Sequence, residues 1–327
     1  MHVPDGFLDP TTAIACGVLA AAGVAAALRG ARRTLPPERL PLLGTAAAFV
    51  FAAQMLNFPV AAGTSGHLLG ATLVAILLGT PAATVVMTCV VVLQCLLFQD
   101  GGLTALGGNL LTMAVVAPSV GAAVHAPLAR ALGGSLPARV AAAVVAGFAS
   151  TLAAAVLCAA LLASSGTVAW SAALPAMAVV HALVGVGEGL ATALVLAAVA
   201  RRRPDLVAPT ATEGAPGPAP VASLAALGLV VAAALVVFVA PLACGWPDGL
   251  EHVATSLGFE RAAAPPPLAA PWGDYEIPVL GAGPVAAIAA GLLGAAAAFL
   301  VAWFVARRVV PVGVAQASAH AADAGRT

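Results

Sequence analysis

The chain has 327 residues, 62% of them apolar and only 8% charged, and its 13 basic and 13 acidic residues cancel. With a mean hydropathy of +1.06, this is the composition of a polytopic membrane protein, not of a soluble domain. The zero net charge leaves no basic surface for nucleic acid, and the expected fold is an all-α, polytopic transmembrane helical bundle. Cys16, Cys89, Cys95, Cys158 and Cys244 form no CxxC pair, so they read as small apolar side chains, not as a disulfide framework or thiolate site.

The chain opens MHVPDGFLDP, and its first positive side chain is Arg29. That is not the positive start and removable apolar stretch of a signal peptide, and a bulky second residue should protect Met1 from trimming. The dipeptide Met1-His2 is then a ligand set in itself. The free α-amine, the His2 backbone nitrogen (once deprotonated) and the His2 imidazole can close two chelate rings in one plane. Planar nitrogen coordination suits Ni(II) and Cu(II). A fourth ligand is missing from the dipeptide.

Apolar stretches long enough to span, or nearly so, lie at 11–28, 41–62, 66–79, 82–98, 103–127, 139–163, 174–200, 221–243 and 284–306. The third is short, and a tilted or partly re-entrant segment is one reading of it. Nine crossings put the termini on opposite sides. Placing the N-terminus outside puts Arg29, Arg32, Arg33, Arg39, Arg130, Arg139, Arg201, Arg202, Arg203, Arg307, Arg308 and Arg326 in the cytoplasm, with only Arg261 outside; this is the bias expected of a multi-pass prokaryotic cell-membrane protein.

Two blocks follow from this pattern: seven spans in 1–200, and a two-span hairpin in 221–307 with an exterior loop at 244–283. A Pro/Gly-rich cytoplasmic linker at 201–220 joins them, and 308–327 forms a cytoplasmic tail. No internal repeat is visible. Small-residue pairs such as Gly185 and Gly189 permit close helix approach, serving either packing within the chain or docking of a partner.

Of the six histidines, His67 in AAGTSGHLLG starts the third span on the side of Met1. It is the natural fourth ligand; the alternative is a helix cap or loop hydrogen bond. Thr64, Ser65 and Asp5 are candidate supports for the imidazoles. His181 and Glu188, two turns apart in HALVGVGEGL, share a helix face. An intramembrane carboxylate invites a functional reading: metal in transit, proton relay, or a buried hydrogen bond, with a structural or coupling role preferred. Asn109, Gln94, Asn57 and Gln54 are expected to satisfy one another between helices, and His125 and His320 to be solvated at cytoplasmic ends. The acids of the exterior loop, Asp248, Glu251, Glu260, Asp274 and Glu276, either concentrate cations beside the site or belong to a solvated loop; the solvated loop is the plainer reading.

These motifs resemble a known family. MHVPDGFL, His67 in GTSGHLLG, the LGGNLLTM run and HALVGVGEG are similar to the substrate-specific M component of energy-coupling-factor transporters for nickel and cobalt. WPDGLE at 246–251, between two spans, resembles the N component of the same systems, so the chain looks like a fused M–N subunit. The resemblance implies a planar site of the Met1 amine, the His2 backbone and side chain, and His67. It implies Ni(II) or Co(II) as transported substrate, with no resident cofactor. Its partners would be a transmembrane T subunit and cytoplasmic ATP-binding-cassette ATPases. The chain itself has no GxxxxGKS/T phosphate loop. Two readings compete with a transport subunit. An intramembrane metalloenzyme would be expected to carry an HExxH-type pair, absent here. A proton-coupled secondary carrier would use Glu188 and His181. A last expectation is that the loop around WPDGLE contacts the metal-binding block and promotes loading.

Overall fold

Asp9 starts the first helix: its carboxylate accepts from the amides of Thr11 and Thr12, and Pro10 occupies the first turn, which satisfies donors that have no partner inside a helix. In this computed structural model residues 1–61, 63–207, 221–281 and 283–310 are described. In chain order the elements are α1 (Pro10–Thr34), α2 (Leu40–Gln54), β1 (Phe58–Ala61), β2 (Thr64–Gly66) and α3 (Ala71–Leu78). They continue with α4 (Thr80–Phe98), α5 (Leu106–Ala131), α6 (Leu136–Ser164), α7 (Trp170–Arg202), α8 (Val221–Leu242), α9 (Gly249–Leu257) and α10 (Pro284–Val309). Among the described residues seven helices, α1, α4, α5, α6, α7, α8 and α10, are long and apolar enough to cross a bilayer. The protein is an all-α, multi-pass membrane protein.

Two of the nine expected spans are shorter than their hydropathy suggests. The stretch 41–62 becomes α2 and then turns into β1, and 66–79 yields only the eight-residue α3. Pro59 explains the first difference, because it has no amide to continue a helix; β1 and β2 instead pair antiparallel, Phe58 opposite Gly66, with an irregularity between Pro59 and Ala61. Gly70 at φ 75° and Gly79 at φ 87° close α3 at both ends, a conformation that costs glycine little. Eight residues rise about 12 Å, less than half of the ~30 Å hydrocarbon core, so α3 alone is too short to cross it.

The small-residue faces pack within the chain. A Cβ on Gly189 would lie 2.2 Å from the Val144 carbonyl, and one on Gly147 would lie 2.8 Å from the Gly189 Cα, so α6 and α7 meet backbone to backbone. The second block is welded to α2 in a similar way. A Cβ on Gly294 would reach Phe51 at 2.1 Å, and one on Gly44 would reach Phe299 at 2.7 Å. One apolar cluster therefore runs from Phe51, Met87 and Phe98 in the first block to Val236 and Ala298 in the second. Arg29, Arg32 and Arg308 line one shallow cavity where α1 and α10 end, at the end of the bundle away from Met1. Residues 208–220 of the expected linker and 311–327 of the tail, with His320 and Arg326, lie outside the described residues.

Candidate metal centre

The first eight residues run into the bundle instead of over it: Val3 is fully buried and Phe7 nearly so. Asn109 holds this segment as a paired strand would. Its Oδ1 accepts from the Val3 amide at 2.8 Å, and its Nδ2 donates to the Val3 carbonyl at 3.0 Å. The Gly102 amide donates to the same carbonyl at 2.9 Å, and a Cβ on Gly102 would fall 2.2 Å from the Asp5 nitrogen, so only glycine admits the chain here. The Asp5 carboxylate accepts from Thr104 N at 2.7 Å, Thr104 Oγ1 at 2.6 Å and Leu103 N at 3.2 Å. Asp5 thus fastens the loop under the segment; it does not orient an imidazole as expected. Nor does Asn109 pair with another helix's polar group.

At the tip, residues 1, 2 and 67 meet. The Met1 amine donates to His67 Nε2 at 3.0 Å and to the Asp248 carboxylate. His67 Nδ1 donates to the Leu68 carbonyl at 3.2 Å, which fixes the tautomer and leaves the Nε2 lone pair facing Met1. The His2 and His67 rings stack with centroids 5.4 Å apart and planes 20° apart. His2 Nδ1 contacts Asp100 Oδ1 at 2.8 Å, and His2 Nε2 donates to Gln94 Oε1 at 3.2 Å.

Charge is distributed accordingly. Burial, then the Met1 ammonium and His2, hold the His67 pKa down to about 3, so this ring, which lies ahead of α3, is a neutral donor. Burial opposes the charge on Met1, but the Asp248 carboxylate outweighs it and raises the amine pKa. Burial also works against Asp248 and Asp100, and their neighbours overcome it: the Met1 ammonium keeps Asp248 well below the carboxylate range, and contact with the His2 ring does the same for Asp100.

The second block supplies Asp248. Its Oδ1 accepts from Leu250 N and Glu251 N, and the Glu251 carboxylate accepts from Asp248 N, a capping box that starts α9. Its Oδ2 is thereby left for Met1. Ser65 donates from its hydroxyl to the Trp246 carbonyl at 2.7 Å, and from its amide to the Pro247 carbonyl at 2.8 Å. Ser65 therefore binds the WPDGLE loop and supports no imidazole, while Thr64 forms part of β2. The reading of the exterior acids as a solvated loop fails for Asp248, whose side chain is only 16% exposed.

Glu188 and His181 do not bond to each other. Glu188 accepts from Leu69 N at 2.7 Å and Gly70 N at 2.8 Å, placing an anion at the start of α3, where unpaired amides and the helix dipole favour it. It thereby fixes the backbone two residues beyond His67. His181 Nδ1 donates to its own helix at the Met177 carbonyl, 2.9 Å, and its ring abuts Gly249, whose Cβ would lie 2.7 Å from His181 Cε1. A small cavity of about 20 Å³ is lined by Met1, His67, His181, Thr151, Asp248 and Gly249. His125, expected to be solvated, is buried and bonds the Arg139 carbonyl at 3.1 Å.

Among the described residues no group of three or more His, Cys, Asp or Glu side chains could hold a metal ion. A metal here would need main-chain nitrogen. The 3.0 Å between the Met1 nitrogen and His67 Nε2 matches adjacent corners of a square with metal–nitrogen bonds of about 2.0–2.1 Å, which are roughly 2.8–3.0 Å apart.

A family described as the cobalt uptake substrate-specific transmembrane region, CbiM, matches residues 2–206. The chain belongs to this family. Among its relatives, a protein of Archaeoglobus fulgidus named as a fused nickel transport protein, NikMN, is 36% identical over 264 residues, 80% of this chain and 84% of that one. That length exceeds the CbiM region, so the likeness extends into the second block. A protein of Haloquadratum walsbyi named as a metal transport protein is 50% identical over 121 residues, which cover 37% of this chain and 56% of that one. A crystal structure described as a truncated transition metal transporter matches with a TM-score of 0.56 at 32% identity, covering 62% of this chain and 99% of that chain.

Proposed function

We propose that the chain is the metal-capturing membrane subunit of an ATP-driven importer for Ni(II), with Co(II) as second choice. Residues 1–200 bind the ion through the Met1 amine, the His2 backbone nitrogen, His2 Nδ1 and His67 Nε2. Residues 221–307 brace that site from outside and promote its loading. The observation that carries the reading is the Met1 amine lying 3.0 Å from a neutral His67 nitrogen, with the His2 ring stacked alongside. A four-nitrogen plane favours a d⁸ ion such as Ni(II), whereas Co(II) more readily takes other geometries. Energy comes from a transmembrane coupling subunit and cytoplasmic ATP-binding-cassette ATPases, since this chain carries no phosphate loop. The names of the relatives in Archaeoglobus fulgidus and Haloquadratum walsbyi support transport of metal.

The proton-coupled carrier is the weaker reading, because both Glu188 oxygens are committed to backbone amides and His181 bonds its own helix. Uptake in cells lacking any ATPase partner would favour the carrier. The decisive experiment on the site is nickel binding by purified protein, followed by calorimetry and by the visible absorption of planar nickel. It compares the intact N-terminus with a variant carrying one extra residue before Met1 and with His67→Ala. Loss of binding in both is expected. Binding indifferent to the extension would overturn the site.

A further inference from the structure

The second block reaches the candidate site at a point independent of the WPDGLE loop. Asp100 follows Gln99, which adopts φ 60°, and this turn at the end of α4 presents both carboxylate oxygens. Oδ1 contacts His2 Nδ1 at 2.8 Å. Oδ2 accepts from the Tyr275 hydroxyl at 2.9 Å. Tyr275 and Asp274 are consecutive non-glycine residues at φ 59° and 54°, a conformation that persists only where the surroundings enforce it. Here they do. The Tyr275 ring stacks on Phe98 with centroids 4.8 Å apart and also packs against Phe51. The Trp272 amide donates to the Leu97 carbonyl at 2.9 Å, and the Ala270 amide donates to Gln99 Oε1 at 3.2 Å. A strained turn is thus pinned by stacking and by backbone bonds, and the part of it that touches the site is one phenol hydroxyl.

We propose that Tyr275 is a positioning residue of the metal centre: it fixes the Asp100 carboxylate, which holds the His2 ring through Nδ1 before loading and stands beside the ion as counter-charge once Nδ1 becomes a ligand. The inference rests on the metal site proposed above and adds a residue of the second block to it. Gln94, fully buried, holds the other ring nitrogen, so the ring is gripped on two edges by fixed acceptors. When His2 Nδ1 turns to a metal, Gln94 retains Nε2, and the Asp100 carboxylate, still held by Tyr275, faces the cation as counter-charge. Loss of groups that lie just outside a metal's ligands commonly changes its affinity 10–100-fold.

Tyr275→Phe removes only the hydroxyl and keeps the ring on Phe98. Its nickel affinity, association rate and planar-nickel absorption would be compared with those of Asp100→Asn and of the double variant, using Ni(II) and the full chain in detergent. The expected result is a loss of about tenfold in affinity with a shifted absorption band in each single variant. The double variant should be no worse than the weaker single, because residues acting in series are not additive. An unchanged thermal midpoint for Tyr275→Phe separates this from simple misfolding. Wild-type binding and spectrum in Tyr275→Phe, or strictly additive losses, would overturn the inference. In that case binding still abolished by a residue before Met1 leaves the site itself standing. Wild-type nickel binding indifferent to that residue would overturn both.

Discussion

At the scale of single residues, the carboxylate of Glu188 is the clearest case of a group whose chemistry the sequence advertised and whose role geometry decides. A buried acid on a membrane helix invites a relay or ligand reading, but the structural role preferred from the sequence is the one seen: Glu188 caps the start of α3 by accepting two amides. Glu188→Gln turns one acceptor into a donor against an N–H and should cost about 1–3 kcal/mol of stability. Because His67 lies just ahead of those amides, nickel affinity should fall about tenfold. Thermal unfolding in detergent with parallel calorimetry checks both; a variant with wild-type affinity would mean that α3 holds His67 without its cap. Asn109 is the second case. Asn109→Ala removes two hydrogen bonds to buried main chain, so residues 1–8 should lose hydrogen-exchange protection and metal binding together. Unchanged protection of that segment would show that the glycine bed suffices. That Met1, His2 and His67 come together was legible in the sequence, because the opening dipeptide and the histidine ahead of the third apolar stretch read onto one side. Asn109, Asp100 and Tyr275 were not, since their partners lie 106 residues from Asn109 and 175 from Tyr275. Asp248 was visible inside WPDGLE, but nothing in composition separates a carboxylate that anchors an amine from one that faces water.

At the scale of elements, length and hydropathy located the long helices, because twenty apolar residues have few alternatives in a membrane. They misjudged 41–79, where Pro59 and the positive-φ positions Gly70 and Gly79 convert apolar sequence into a hairpin and a short helix. The helix α9 offers a test that separates capping from charge. Asp248→Asn retains an N-cap of equal quality but loses the partner of the Met1 ammonium, whereas Asp248→Ala loses both. The alanine variant should therefore be less stable than the asparagine variant by about 1 kcal/mol, with equal loss of the amine contact. Equal midpoints would mean that the cap contributes nothing once the loop is docked. Helix packing gives a contrast of the same kind. Gly189→Ala drives a methyl into the Val144 carbonyl and should destabilise by about 1–3 kcal/mol. Gly17→Ala meets nothing within 4 Å and should be neutral or stabilising by up to about 1 kcal/mol. If the two substitutions behave alike, α6 and α7 have room that their backbones do not display.

At the scale of the whole molecule, the division into two blocks read from the linker composition is a statement about sequence, not about independence. The aromatic group Phe51, Phe98, Trp272 and Tyr275 spans both, and the WPDGLE loop is fastened through Ser65 and Met1. Cutting the chain within 208–220 and co-producing the halves should therefore yield a complex that purifies together, because what joins them is a shared core and not the linker. Removing 221–327 altogether should have a different effect. The remaining chain keeps Met1, His2 and His67 but loses Asp248 from the amine and Tyr275 from Asp100, and with them the backbone carbonyls that hold Ser65. Metal uptake in cells supplied with the proposed coupling and ATPase subunits should then drop by at least about tenfold, the scale on which outer supports act on a metal site, and supplying 221–327 as a separate chain should restore it. Uptake unchanged by the deletion would mean that the first block arranges its own N-terminus, and that the second block contacts the site without shaping it.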